Sequence, residues 1–222
     1  YLGSSAGLSL SADWTAESNQ VNAKLGVSVA SAGDVNNDNY DDILIGAHQY
    51  DDGQFDEGRA YLYLGSSSGL SSSASWTAES DQAGAEFGWS VASAGDVNND
   101  DFDDILIGAR NFENGQVDEG RAYVYLGSSS GPAALPSWTA ESNQAGTEFG
   151  SRVASAGDVN GDGYDDVVVG GPYYDNGQLD EGRAWVYLGG AGGLSSSASW
   201  TAESDQASAR FGFGVASAGD VN

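Results

Sequence analysis

Three stretches of this chain place acidic and amide side chains at alternate positions, in the pattern D-x-N-x-D-x-x-D-D. They run Asp34 to Asp42, Asp96 to Asp104 and Asp158 to Asp166. A hard divalent cation such as calcium takes six to eight oxygen ligands at about 2.3–2.6 Å and tolerates irregular geometry. On a tightly coiled loop, positions 1, 3 and 5 face inward. These are Asp34, Asn36 and Asp38, then Asp96, Asn98 and Asp100, then Asp158, Asn160 and Asp162. Position 7 would add a backbone carbonyl from Tyr40, Phe102 or Tyr164. Position 9, Asp42, Asp104 or Asp166, can close the site with one or both carboxylate oxygens, and water can complete the shell. Magnesium suits such a loop less, because it keeps its waters and demands a stricter octahedron. Without a cation, carboxylates about 4 Å apart at an effective dielectric near 20 repel by roughly 4 kcal/mol per pair.

Position 6 holds Asn39, Asp101 and Gly163, residue types that accept the left-handed turn a coiled loop needs there. An EF-hand would need twelve residues, a closing Glu and flanking helices. Here the loop has nine residues and both flanks read as strand, so the expectation is a calcium-binding β-hairpin. The calcium expected is about one ion per complete repeat, three in all. Three such ions would offset six negative charges. The chain has 33 Asp+Glu against 7 Lys+Arg, for a formal charge of −26, so the acidity has a further cause. That charge repels nucleic-acid phosphate and anionic lipid. It fits a salty environment, where self-repulsion is screened.

The loops are held by a strict period. Asp34, Asp96, Asp158 and Asp220 are 62 residues apart, as are Trp14, Trp76, Trp138 and Trp200. A fixed step of this size means repeated supersecondary units. Each unit carries four strand signals and no helix signal: Gly26 to Ser31, Ile43 to Ile45, Ala60 to Leu64, and Ser75 to Ala78 in the first copy. Runs apolar on both faces indicate strands sandwiched between neighbours. Four strands at this period predict an all-β fold of β-propeller blades, each a four-stranded antiparallel sheet, in a partial or open ring of about 3.6 repeats. The Gly- and Ala-rich strand is expected innermost and the Trp-bearing strand outermost. The expected division is 1–19 as the end of a preceding blade, 20–81, 82–143 and 144–205 as blades, and 206–222 as the first strand of a further one. There is no methionine, and Tyr1-Leu2-Gly3 matches Tyr63-Leu64-Gly65, so the sequence reads as cut from a longer one. A fourth loop starts at Asp220 and stops at Asn222, before positions 5 and 9; it is expected to hold calcium poorly.

Leu25-Gly26, Phe87-Gly88, Phe149-Gly150 and Phe211-Gly212 open the inner strands. Gly46-Ala47-His48, Gly108-Ala109-Arg110 and Gly170-Gly171-Pro172 follow the loops. With the loop between them, these signatures resemble FG-GAP repeats, the blades of the integrin α-subunit propeller and of many bacterial surface proteins. The first copy departs by lacking Phe, and only the third ends in Pro. The resemblance implies structural calcium between the two innermost strands on the lower face, usually seven blades, and adhesion through the opposite face.

A second acidic motif, Asp51 to Arg59, recurs at Asn111 to Arg121 and Tyr174 to Arg183. It reads as a long hairpin between the second and third strands, with Asn114-Gly115 and Asn176-Gly177 as turns. One reading is a solvated loop whose Asp-Glu pair meets the following Arg59, Arg121 or Arg183; the other is a ligand or second cation site. His48 reads as a variable surface residue, and the Trp residues as blade packing. Every singled-out Asp obeys the period, and no nucleophile pairs with a base. Catalysis needs unlike groups brought together. The sequence therefore predicts a non-catalytic, calcium-binding module, and the resemblance implies that it serves extracellular adhesion or protein binding. A lectin propeller, or an accessory propeller of a larger secreted enzyme, is the alternative. The partner is a protein or glycan of unknown identity, without nucleic acid or membrane insertion, and fragments could self-associate to close the ring. The location expected is extracellular or cell-surface. No cysteine, membrane span or N-glycosylation sequon occurs.

Overall fold

A computed structural model describes residues 3–4 and 7–219. A short hairpin, β1 (Gly3–Ser4) and β2 (Gly7–Leu8), precedes three four-stranded antiparallel sheets. The first is β3 (Ser28–Gly33), β4 (Asp42–Ala47), β5 (Arg59–Tyr63) and β6 (Trp76–Glu79). The second is β7 (Phe87–Gly95), β8 (Asp104–Ala109), β9 (Arg121–Tyr125) and β10 (Trp138–Glu141). The third is β11 (Arg152–Gly157), β12 (Asp166–Gly171), β13 (Arg183–Tyr187) and β14 (Trp200–Glu203). Each sheet pairs its strands in chain order. The strands β3, β7 and β11 pack against one another across sheets, so the Gly- and Ala-rich strands are innermost. The three sheets are successive blades of a partial β-propeller. No helix among the described residues is long and apolar enough to cross a membrane. The fourth loop, from Asp220, lies outside the described residues.

The strand composition explains the packing. In β8, Ile105, Leu106 and Ile107 are all buried, because this strand has a neighbouring blade on each face. Phe87 and Phe149 are fully buried at the blade boundaries. Phe87 meets Tyr123 edge-to-face at 5.1 Å, and Phe149 meets Trp185 at 5.0 Å. The two glycines of the signatures meet there too. A Cβ on Gly108 would collide with the backbone carbonyl of Gly150, and one on Gly46 with that of Gly88. Neighbouring blades therefore touch backbone to backbone at these points, which only glycine permits.

The outer Trp residues pack blades, as expected. Trp76 lies edge-on to Tyr125 at 4.9 Å and Trp138 to Tyr187 at 4.8 Å. Each also donates its indole N–H to a backbone carbonyl of the next blade: Trp14 to Ser71 at 2.9 Å, Trp76 to Ala133 at 3.0 Å, Trp138 to Ser195 at 2.8 Å.

The second motif does form the long hairpin, but its charges are used differently from the sequence reading. Glu57, Glu119 and Glu181 are fully buried instead of solvated. Their carboxylates accept the backbone N–H groups of Asp52, Asn114 and Asn176 across the turn. The arginines turn to the outer strand of their own blade, because the antiparallel register sets Arg59 opposite Glu79, Arg121 opposite Glu141 and Arg183 opposite Glu203. Arg59 also pairs with Asp52. His48, read as a surface residue, is buried against the edge of Trp89 at 4.7 Å, because the following blade covers it.

Candidate metal centre

Each nine-residue loop joins the two innermost strands of a blade and is wound by its own side chains. In the first, Asp34 accepts the N–H groups of Asp38 (3.0 Å) and Asn39 (2.7 Å), and Asp38 accepts that of Tyr40 (3.0 Å). The second repeats this, with Asp96 accepting from Asp100 and Asp101, and Asp100 from Phe102. The third does so with Asp158 and Asp162. Residues Asn39, Asp101 and Gly163 take φ of 70°, 71° and 89°, the left-handed turn predicted at position 6. Position 4 is left-handed as well, at Asn37, Asn99 and Gly161.

Position 9 is the anchor. Asp42, Asp104 and Asp166 are fully buried. Asp104 accepts the N–H of Val97 at 2.9 Å and that of Gly127 at 2.8 Å, so one carboxylate ties the loop to the turn after β9. Asp42 does the same with Val35 and Gly65, and Asp166 with Val159 and Gly189. Burial pushes all three carboxyls above the ordinary range, and the carboxylates at positions 5 and 1 of the same loop add to the rise. Asp104 is pushed up to about 7. A raised folded value means the ionised form is the costly one. An ion-free loop thus keeps its full stability below the unfolded carboxylate range and loses some as pH rises toward 7.

The backbone N–H groups occupy only part of each carboxylate, which has about four acceptor positions. Among the described residues, no three acidic or histidine side chains gather closely enough to form a finished cage. The amide oxygens provide the test of fit. Asn36 and Asn98 donate their side-chain N–H to Asp38 (3.1 Å) and Asp100 (2.9 Å), which fixes the amide. The Oδ1 atoms of Asn36 and Asn98 are buried and have no hydrogen-bond partner. An unsatisfied buried carbonyl oxygen beside electrostatically coupled carboxylates is a donor set that fits a hard cation. In the third loop, Asn160 Oδ1 instead accepts the N–H of Asp162 at 3.0 Å.

The loops differ because of their neighbours. Asp103, at position 8 of the second loop, accepts the N–H of Asp34 at 2.7 Å and donates its own N–H to the Asp34 carbonyl at 3.2 Å. Asp165 does the same to Asp96. The first and second loops are thereby each clasped by the next one, and a Cβ on Gly33 or Gly95 would collide with the clasping carboxylate. The sequence reading gave position 8 no role, although the doubled Asp-Asp recurs in every copy. The third loop has no such partner among the described residues: Val159 is 58% exposed, whereas Val35 and Val97 are fully buried.

The FG-GAP repeat profile matches residues 25–63, 87–125 and 149–187. The chain belongs to the FG-GAP repeat family. Integrin alpha-8 of Gallus gallus is 34% identical over 88% of this chain, and integrin alpha-5 of Xenopus laevis is 33% identical over 76%. Integrin alpha-PS2 of Drosophila melanogaster is 34% identical over 68%. This FG-GAP chain spans only 12–18% of the length of these three relatives. Within it, the Phe-Gly and Gly-Ala signatures are the glycine contacts between blades described above, and the nine-residue loops lie between them.

Proposed function

We propose that this FG-GAP chain is a calcium-stiffened, non-catalytic module that serves adhesion or protein binding outside the cell, with one ion in each complete loop. The ligands would be Asp34, Asn36, Asp38, the Tyr40 carbonyl and Asp42, with the equivalent residues of the second and third loops. Calcium would supply positive charge among carboxylates and tie each loop into one rigid turn. The partnerless Asn36 and Asn98 oxygens carry this reading. The integrin relatives, whose names mark receptor subunits, support the adhesive role, and the face opposite the loops would meet a protein or glycan. The indole N–H groups of Trp14, Trp76 and Trp138 are spent on neighbouring blades, which weighs against a Trp platform for sugar.

Calorimetric titration with calcium, paired with thermal unfolding in chelator, tests the metal. Two sites should fill first and the third more weakly. At a calcium concentration ten times the dissociation constant, each loop adds about 1.4 kcal/mol. An unfolding curve identical in calcium and in chelator would overturn the proposal.

A further inference from the structure

The inner strands carry the loops at one end, and at the other end the 62-residue period breaks. After each Phe-Gly or Leu-Gly pair stand Val27, Trp89, Ser151 and Phe213, followed by Ser28, Ser90, Arg152 and Gly214. The position of His48 is Arg110 and then Pro172 in later copies. Unlike groups meet here, in a molecule whose other chemistry is copied from blade to blade.

Two clefts open at this end. One, of about 310 Å³, lies between Val27, Val29, Trp89 and Arg152. The other, of about 70 Å³, includes Ser151 and Glu148 and shares Trp89 and Arg152 with the first. A water needs about 10–15 Å³ of such space, so the smaller cleft admits a group the size of a carboxylate.

Arg152 is the unusual residue. In the first two blades its position is serine, and the hydroxyls of Ser28 and Ser90 accept the N–H of Val91 (3.0 Å) and Val153 (3.2 Å) from the next inner strand. Arg152 gives up that link. One guanidinium nitrogen donates to the Ser151 carbonyl at 2.7 Å, and the group lies 5.4 Å from the Phe213 ring centre. Among the described residues no carboxylate pairs with it, in a chain with 33 acids. Arg110 is different: it sits between Glu86 (2.6 Å) and Glu148 (3.6 Å) and stacks 3.3 Å over Trp89, holding that ring in place. The Ser151 hydroxyl lines the small cleft, is buried, and has no partner. A half-buried guanidinium beside an unsatisfied hydroxyl and a fixed indole is a built receptor for a planar anion. A single charge fits better than a double one, because Glu148 also faces the cleft.

We infer that this axial cleft binds a carboxylate borne on a short apolar body, with Arg152 and the Ser151 hydroxyl holding the acid and Trp89 and Val29 holding the body. Titration calorimetry of the whole chain in about 0.15 M salt, which screens the global charge, provides the test. The probes are benzoate, its neutral isostere benzamide, and a capped peptide with one glutamate. Tighter binding of benzoate assigns the site to free organic acids, and tighter binding of the peptide to an acidic side chain of a partner. In either case Arg152→Ser and Trp89→Val should each weaken the better acid at least about tenfold. Both variants install the residue that another blade already carries at that position. Benzamide should bind at least about tenfold more weakly than benzoate. Saturable heat from neither acid, or equal affinity in the wild type and Arg152→Ser, overturns the inference.

Discussion

The two ends of the inner strands obey opposite rules. At the loop end, Asp34, Asp96 and Asp158 repeat one set of hydrogen bonds three times. At the other end, Val27, Trp89, Ser151 and Phe213 share a position and little chemistry. Repetition suits a job that every blade needs, and here that job is winding the loop between the two innermost strands. Departure from repetition suits a job needed once. Three arginines that repeat, Arg59, Arg121 and Arg183, sit in cross-strand ion pairs, while Arg152, which does not repeat, has no acidic partner among the described residues. The comparison separates residues that build the propeller from residues that are free to bind.

The largest expected effect lies at the loop end. Asp104→Ala would leave the buried N–H groups of Val97 and Gly127 without acceptors. At about 1–3 kcal/mol for each orphaned donor, the loss is roughly 3 kcal/mol or more, even in chelator. Asp158→Ala, on the exposed third loop, should cost less than half as much in chelator, because water can take over its donors. Urea unfolding of both variants without calcium checks this. Equal losses would mean that the exposed carboxylate at position 1 matters as much to loop order as the buried anchor at position 9.

A smaller contrast lies on the outer rim. Trp138 is 8% exposed and donates to Ser195, whereas Trp200 is 54% exposed with no such partner among the described residues. Trp138→Phe should cost about 1 kcal/mol for the lost bond, and Trp200→Phe close to nothing. For a chain of this size, 1 kcal/mol moves the melting temperature by about 2–4 °C, which calorimetry resolves. A Trp200→Phe loss as large as that of Trp138→Phe would show that its indole N–H is satisfied as well.

These contrasts also mark what the sequence could and could not reveal. Ile43 to Ile45 and Ala60 to Leu64 announced strands because burial on both faces leaves no polar alternation. Asn39, Asp101 and Gly163 announced the loop turn because few residues accept positive φ. Both signals are local. The clasp from Asp103 to Asp34 was invisible, because it spans 69 residues and depends on how the blades abut. Glu57 looked solvated, since nothing in Asp51 to Arg59 shows that its carboxylate folds inward to collect an N–H. His48 looked exposed because the covering Trp89 belongs to another blade. In a propeller, burial is decided by the neighbour, so position-specific environment is the part that a single repeat does not encode.

The smallest expected effect is the most discriminating. Ser90 holds the N–H of Val153 at a buried boundary, so Ser90→Ala should cost about 1 kcal/mol. Arg152 occupies the equivalent position in the third blade but donates to its neighbour's carbonyl and lies over the Phe213 ring instead of holding the next inner strand. Arg152→Ser should therefore shift stability by less than about 0.5 kcal/mol, the range of a surface change. It would also replace a cation with the residue the other two blades use. Denaturant midpoints for the two variants, measured side by side in calcium, decide the matter. If Arg152→Ser costs as much as Ser90→Ala, then Arg152 is part of the blade packing and the two ends of the inner strands are not so different. If it is neutral, the arginine is held in place by something other than stability, which is the condition a binding residue should meet.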